Sequence, residues 1–386
     1  MTTQTLSPDV RPNMRPDVPC DVPRPVQPQR PVTSRSALPV RRVLQVGVSL
    51  AVLAALLVLI LPSVTGASWE SATQALASVS WWQLAGLTAL WLVGLWAYSF
   101  VLAASLPGLS RGQGFVLNLV GSGVSNLAPL GGAVGVGVTW TMARQYGFTH
   151  RAIGLYTAVT GIWNILARLA LPLAGLVGLL VVGAHVSGPV LVAAGAGAAV
   201  CALLVAVVVA ALANDRFAAR LIAVVVRSTG SIARLAGRPE PEGLEASLAS
   251  QRVSAVELLK RGRGGLVVGM LAYLVLQGIL MWACLAAVGS DLGWAEVTAA
   301  YACGRMLTTV VLTPGGTGFA ETGTAAVLIA LGGDPVVSVA GVLLFSFFTF
   351  VCEIPGGALA YLWHLGARGW QRQPLSHRTV SECAAG

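Results

Sequence analysis

Two stretches decide how this chain folds: Asn126-Leu127-Ala128-Pro129-Leu130-Gly131-Gly132 and Thr313-Pro314-Gly315-Gly316-Thr317-Gly318. Each interrupts an apolar segment, 114–143 in the first case and 297–332 in the second. Proline removes a backbone donor and clashes with the preceding turn. Adjacent glycines then let the chain reverse. Irregular backbone at membrane depth persists only where it is buried in protein or lines a wet cavity. Both segments therefore read as re-entrant helical hairpins. The alternative is two kinked spans, which would make eight kinked transmembrane helices in all.

Working outward, six uninterrupted apolar segments surround the breaks, at about 43–62, 81–104, 152–183, 189–213, 264–289 and 336–365. A spanning helix needs roughly 20 mainly apolar residues, and these reach that length. The chain of 386 residues is 55% hydrophobic and 10% charged, with mean hydropathy +0.77; a soluble domain carries about a quarter charged residues. The expected fold class is an all-α polytopic membrane protein: six spanning helices plus two re-entrant helical hairpins in inverted repeats.

The placement of charge chooses between hairpins and kinked spans. With a cytoplasmic amino terminus and two hairpins that return to their own side, the outer segments are 63–80, 184–188, 290–296 and 333–335. They contain Glu70, Asp291, Glu296 and Asp334 but no Lys or Arg. Of the 24 basic residues, all but Arg168 and Arg305 then face the cytoplasm, a positive-inside pattern. Full spans at the two breaks would instead put Arg144, Arg151 and the whole basic loop 214–263 outside. The expected organisation is a Pro- and Arg-rich cytoplasmic tail over 1–42, too polar to bury a core, a transmembrane domain over 43–365, and a cytoplasmic tail over 366–386. Both termini are cytoplasmic in a bacterial inner membrane. Within the loop, about 216–236 carries Arg216, Arg220, Arg227 and Arg234 among Leu, Ile and Val. It suits either an amphipathic helix on the anionic inner leaflet or a solvated loop. Residues 66–80 suit an outer interfacial helix, followed by an aromatic anchor at Trp81 and Trp82.

The net charge of +9 follows from this sidedness, and no folded basic domain suggests nucleic acid. The six cysteines, Cys20, Cys201, Cys284, Cys303, Cys352 and Cys383, show no CxxC or Cys/His spacing. His150, His185, His364 and His377 are scattered. Neither a disulfide framework nor a metal site is expected. The sequence has no Ser/His/Asp grouping, P-loop or dinucleotide fingerprint, so no cofactor and no catalytic residue is assigned.

The two hairpins are related. Pro129 and Pro314 each precede a Gly pair, a second apolar arm and a turn, at Gly147 and at Gly332-Gly333. A long segment with an internal proline follows each, Pro172 in one and Pro355 in the other. The repeated unit is span, hairpin, span, over about 81–183 and 264–365. By the charge distribution the first hairpin enters from inside and the second from outside. Inverted repeats whose broken helices meet near the midplane are a transporter design, and helix ends freed at the breaks offer N–H and C=O groups to a polar or anionic ligand.

At these residues the sequence resembles a known family. Leu312-Thr313-Pro314-Gly315-Gly316-Thr317-Gly318-Phe319-Ala320-Glu321 is similar to the signature of the flippase-like membrane family, which includes the transmembrane region of lysylphosphatidylglycerol synthases and stand-alone relatives. Asn126, Pro129 and Gly131, followed by Arg144 and Gly147, resemble that family's first motif. The resemblance covers about 43–365. Where many members have an acidic residue after the first Gly pair, Ala133 and Val134 stand here; where members often carry Arg in the last span, this chain reads Phe345-Ser346-Phe347. The family's aminoacyl-transferring members append a large soluble domain, and about twenty residues follow the last span here, so that activity is not expected. The resemblance implies movement of a lipid, a lipid-linked molecule or a small polar solute without an ATP site. A non-transporting membrane scaffold for envelope lipid or glycan assembly is the alternative, and a lipid-modifying enzyme a weaker one. Expected partners are membrane lipids, with anionic headgroups at the cytoplasmic face, and envelope-synthesis proteins.

The candidate substrate path comprises Asn126, Pro129, Gly131, Gly132, Pro314, Gly315, Gly316, Gly318 and Glu321, with intramembrane charges at Arg168, Arg305 and Glu353. A charge at bilayer depth costs at least about 2.5–3.5 kcal/mol on insertion scales, so each is a functional candidate. The bland readings stand beside these: Glu321 capping the second hairpin arm near the outer interface, Arg305 snorkelling or binding hairpin carbonyls, Asn164 and Gln277 as interhelical glue, and the GxxxG and GxG spacings of 131–137 and 195–197 as close packing. Arg168 and Glu353 occupy equivalent positions of the two repeats. They are expected to share a polar centre, paired directly or through water or a headgroup. Otherwise Arg168 binds carbonyls freed near Pro172, and Glu353 binds hydroxyls such as Ser346.

Overall fold

The computed structural model describes residues 51, 54–127, 131–183, 188–235, 243–308 and 316–371. Among them the secondary structure is helical and no strand occurs. Helices α1 (Leu56–Thr65) and α2 (Trp69–Ala77) precede the first long helix, α3 (Trp81–Ser105). Then come the pair α4 (Arg111–Asn126) and α5 (Gly131–Gln145), and the long helix α6 (His150–Val182). Helices α7 (Gly188–Ala213) and α8 (Asp215–Leu235) lead to the 44-residue α9 (Leu244–Ala287). A second pair follows, α10 (Trp294–Leu307) and α11 (Phe319–Ala330). The last segment is α12 (Pro335–Ser346), a π turn over Phe347–Val351, and α13 (Glu353–Gln371).

Five helices are long and apolar enough to cross a membrane: Trp81–Ser105, His150–Val182, Gly195–Ala213, Gly264–Ala287 and Pro335–Ala367. The expected first span, 43–62, lies largely outside the described residues, as do the tails and the breaks at Pro129, Pro314 and Gly315. The surface is apolar and the interior holds the polar groups, the reverse of a soluble domain. Trp82, Val181, Val192, Leu203, Val268 and Leu359 are more than half exposed, while Ser99, Gln277, Glu321 and Glu353 are buried. The protein is a multi-pass membrane protein.

Local sequence sets the helix starts. Ser80 with Gln83, and Ser110 with Gln113, form capping boxes ahead of α3 and α4, each satisfying two otherwise orphaned backbone donors. Asp334 accepts from the Val336 and Val337 amides ahead of α12. Pro172 is accommodated inside α6 without ending it. At Pro355 the chain adjusts instead, through the π turn, in which the Cys352 amide reaches back to the Phe347 carbonyl (2.8 Å).

Within each pair the helices pack on one another, and each helix, at 16, 15, 14 and 12 residues, is shorter than the roughly 20 needed to cross. The first arms dock reciprocally. Helix α4 lies on α13, where a Cβ at Gly123 would come 2.5 Å from the Glu353 carbonyl oxygen. Helix α10 lies on α6, where a Cβ at Gly175 would come 2.9 Å from Ala299 Cα. Thus the first arm of each pair packs on the closing helix of the other unit. The opening helices, α3 and α9, pack along each other in opposite directions: Gly94 is beside Leu276, Val101 beside Gly269, and Ala104 beside Gly265.

The 214–263 segment is largely helical where described: α8 covers nearly all of 216–236, as one of its two readings had it, and α9 begins some five turns before its apolar part. Arg252 fixes the corner. Its guanidinium donates to the Ala211 (2.7 Å) and Leu212 (3.0 Å) carbonyls at the end of α7 and pairs with Asp215 (2.6 Å), supplying donors to carbonyls that a helix end leaves open. Close packing explains only some of the singled-out glycines. Gly131 and Gly135 press against Ser125 and Gly121 of α4, but Gly137, Gly195 and Gly197 have open space where a Cβ would stand.

Candidate functional site: a polar cavity between the two helix pairs

Polar side chains and glycines on both sides of the breaks line a cavity of about 600 Å³. Asn126, Gly131 and Gly132 come from the first pair, and Arg305, Gly316 and Glu321 from the second. Helix α6 contributes Arg168, and the last segment contributes Ser346 and Glu353 on either side of its π turn. Of the described candidate residues only Gly318 is absent from the lining. Its amide donates to Glu321 Oε2, closing the first turn of α11. Pro129, Pro314 and Gly315 lie outside the described residues.

The two carboxylates are held differently. Glu321 does cap the second arm, and it is buried in the protein, at 4% exposure. Its other oxygen, Oε1, accepts from Ser346 Oγ at 2.7 Å, which ties α11 to the last segment. Glu353 Oε2 accepts from Asn126 Nδ2 at 3.1 Å, and the same amide reaches the Phe350 carbonyl at 3.2 Å. One side chain at the tip of the first pair thus satisfies a carboxylate and a carbonyl at the break in the last segment.

Arg168 and Glu353 share the cavity, but no ion pair joins these two described residues. The carboxylate faces the Arg305 charge instead. Ser346 serves Glu321, and the hydroxyl that hydrogen-bonds Glu353 is that of Ser122. Arg168 donates no hydrogen bond among the described residues, to carbonyls near Pro172 or elsewhere, and the nearest like charge acting on it is Arg305. The Nε atoms of both arginines are buried without a protein partner. Asn164 acts as interhelical glue, its Nδ2 donating to the Tyr98 hydroxyl of α3 at 2.6 Å, whereas Gln277 Nε2 donates to the Tyr273 hydroxyl one turn away on its own helix α9, at 3.2 Å.

Sequence reasoning missed the tyrosines. Tyr98, Tyr156, Tyr273 and Tyr301 all line the cavity. The available signal was an amphipathic ring in mid-helix, well away from the interfacial positions where tyrosine is enriched. Gly131 is needed for close packing, not for a chain reversal. Its backbone is helical, and a Cβ there would overlap the Ser125 backbone. Gly316 and Gly318 do adopt positive φ, at 74° and 91°.

The comparison with known families agrees with this geometry. Residues 43–356 match the family model described as the lysylphosphatidylglycerol synthase TM region. No curated protein matches the chain.

Proposed function

The chain belongs to the lysylphosphatidylglycerol synthase TM-region family, and from that premise we propose that it moves a lipid, a lipid-linked molecule or a small polar solute across the membrane without an ATP site. The observation that carries this reading is the cavity. It gathers charged and hydrogen-bonding side chains, is large enough for a headgroup, and lies between the two short helix pairs of a protein that exposes many large apolar side chains. A headgroup would enter it while acyl chains remained in lipid.

In this reading the two broken pairs are re-entrant hairpins and the units 81–183 and 264–365 are inverted about an axis in the membrane plane. Support comes from the short arms, the reciprocal docking of α4 and α10, and the opposite directions of α3 and α9. Six spans then place both termini in the cytoplasm of a bacterial inner membrane, as the sidedness of Lys and Arg requires. Movement is a rocking of one unit against the other around the cavity, driven by the substrate gradient or by an ion. We read the chain as a carrier and not as an enzyme. Helix α8 lies on the inner leaflet, with exposed Arg216, Arg220 and Arg227 toward anionic headgroups.

Reconstitution into vesicles carrying a fluorescent phospholipid tests the proposal. With active protein, a membrane-impermeant quencher should reach label from both leaflets; in protein-free vesicles it reaches only the outer one. Identical quenching with and without protein, across phospholipid and lipid-linked sugar probes, would leave the scaffold reading in its place.

A further inference from the structure

Arg168, Tyr301 and Arg305 all line the cavity, and Arg168 Nε, Arg305 Nε and the Tyr301 hydroxyl are buried there without an acceptor among the described residues. They come from two helices that pack on each other, α6 and α10. Both carboxylates in the same lining are already engaged, Glu321 by the Gly318 amide and Ser346, and Glu353 by Asn126. The charges are not balanced in pairs. The Arg305 charge acts favourably on Glu353 and unfavourably on Arg168, which lines the same cavity and forms no ion pair among the described residues. Two guanidinium groups held near each other, with a neutral donor between the same helices, form a site that lacks an acceptor-rich anion.

We propose that Arg168, Arg305 and Tyr301 form a phosphate-binding subsite within the cavity, the point at which the phosphate of a headgroup or a phosphorylated solute is held. The inference rests on the cavity being the substrate path. A phosphate suits the site better than a carboxylate, because separate donors converge on it and a phosphate presents three or more acceptor oxygens. The planar guanidinium fork matches that geometry. Occupation would also neutralise Arg168, the cation that the fold leaves uncompensated. The subsite is asymmetric: Arg168 on α6 has as its counterpart in the second unit Glu353, an acceptor. A phosphate would therefore bind toward the α6–α10 side, and a cationic or hydroxylated extension of the same molecule would reach Glu353.

The test uses the purified full chain in uncharged detergent and three probes: dioleoylphosphatidic acid, dioleoylglycerol, which differs only in lacking the phosphate, and inorganic phosphate alone. Native mass spectrometry or a fluorescence titration reads binding. The wild-type protein should hold phosphatidic acid at least about ten-fold more tightly than dioleoylglycerol, and Arg168→Gln and Arg305→Gln should each weaken it about ten-fold, the size expected for losing one charge-assisted hydrogen bond. Arg168→Lys should retain part of the affinity. Competition by inorganic phosphate would assign the subsite to a free phosphorylated solute; no competition would assign it to a lipid headgroup. Equal wild-type binding of the two lipids overturns the subsite, and that comparison needs no variant to fold. So does wild-type affinity in folded glutamine variants. The vesicle assay separates the two ideas: arginine-dependent binding without movement between leaflets overturns the translocase and keeps the subsite, whereas movement unchanged in both glutamine variants overturns the subsite alone.

Discussion

Asn126 carries more of the cavity than any other single neutral side chain, because its amide meets both Glu353 and the Phe350 carbonyl. Asn126→Ala leaves a buried carboxylate and a carbonyl at the π turn without that donor. A hydrogen bond to a charged group contributes about 1.5–3 kcal/mol, so a loss of that order is expected in a detergent melt, with Asn126→Asp worse because it adds a like charge. Gly316 is constrained twice: its φ is 74°, and a Cβ would stand 2.6 Å from Thr308 Cα. The left-handed backbone alone costs a substituted residue about 1–2 kcal/mol. Gly316→Ala should lower folded yield and Gly316→Leu abolish it, while Gly195→Leu, with open space at that position, should match the wild type. Equal tolerance at the two glycines would show that the second break is an ordinary kink.

At the scale of elements, sidedness is the property to measure. If α4–α5 and α10–α11 are re-entrant, single cysteines introduced at 66–75 and 291–295 should react with an impermeant reagent added outside intact cells, and cysteines at 243–250 should not. Outside labelling of 243–250 would mean that the pairs cross the membrane. The corner between α7 and α8 depends on Arg252, which meets two carbonyls and Asp215. Asp215 is exposed, so the ion pair itself contributes little, but the carbonyl contacts close a helix end. Arg252→Ala should speed amide exchange around 209–218 without altering exchange in α3 or α13. Uniform acceleration throughout would mean that the corner supports the whole bundle.

For the whole molecule the decisive feature is reciprocity. The first helix of each short pair docks on the closing helix of the other unit, α4 on α13 at Gly123 and α10 on α6 at Gly175. Neither unit can bury its arm alone. Valine at either glycine should therefore lower the yield of folded protein about as much as valine at the other, while Gly86→Val, where space is open, should leave it unchanged. A charge exchange tests the cavity as a unit. Arg168→Glu with Glu353→Arg should not recover the loss from either single change, since each side chain sits among different partners, Glu353 with Asn126 and Arg305, and Arg168 beside Arg305. Recovery by the exchange would restore the direct pair.

Reading residues along the chain located the long apolar helices and the two interruptions between short ones, because hydropathy, Pro and Gly act through local backbone physics. It also found the charged residues of the cavity lining and Asn126: an Asn, a carboxylate or an arginine in an apolar segment stands out by its desolvation cost alone. What it could not supply was partnership. That Ser346 meets Glu321, that Asn126 meets Glu353 and that Tyr301 turns its hydroxyl inward depend on which helix faces pack together, and that is set by small-residue contacts such as Gly123 on α13 and Gly175 on Ala299. Helix α9 continues through the basic loop for a related reason: charged and polar side chains there conceal a helix in a hydropathy profile, while the backbone needs only its own hydrogen bonds and the Arg252 clamp. The sequence by itself determined a membrane bundle with two broken helices and a set of buried charges. Only tertiary packing decided which of those charges are satisfied and which two arginines are left facing an open cavity, because the partner of a buried polar group is whatever the opposing helix brings within hydrogen-bonding distance.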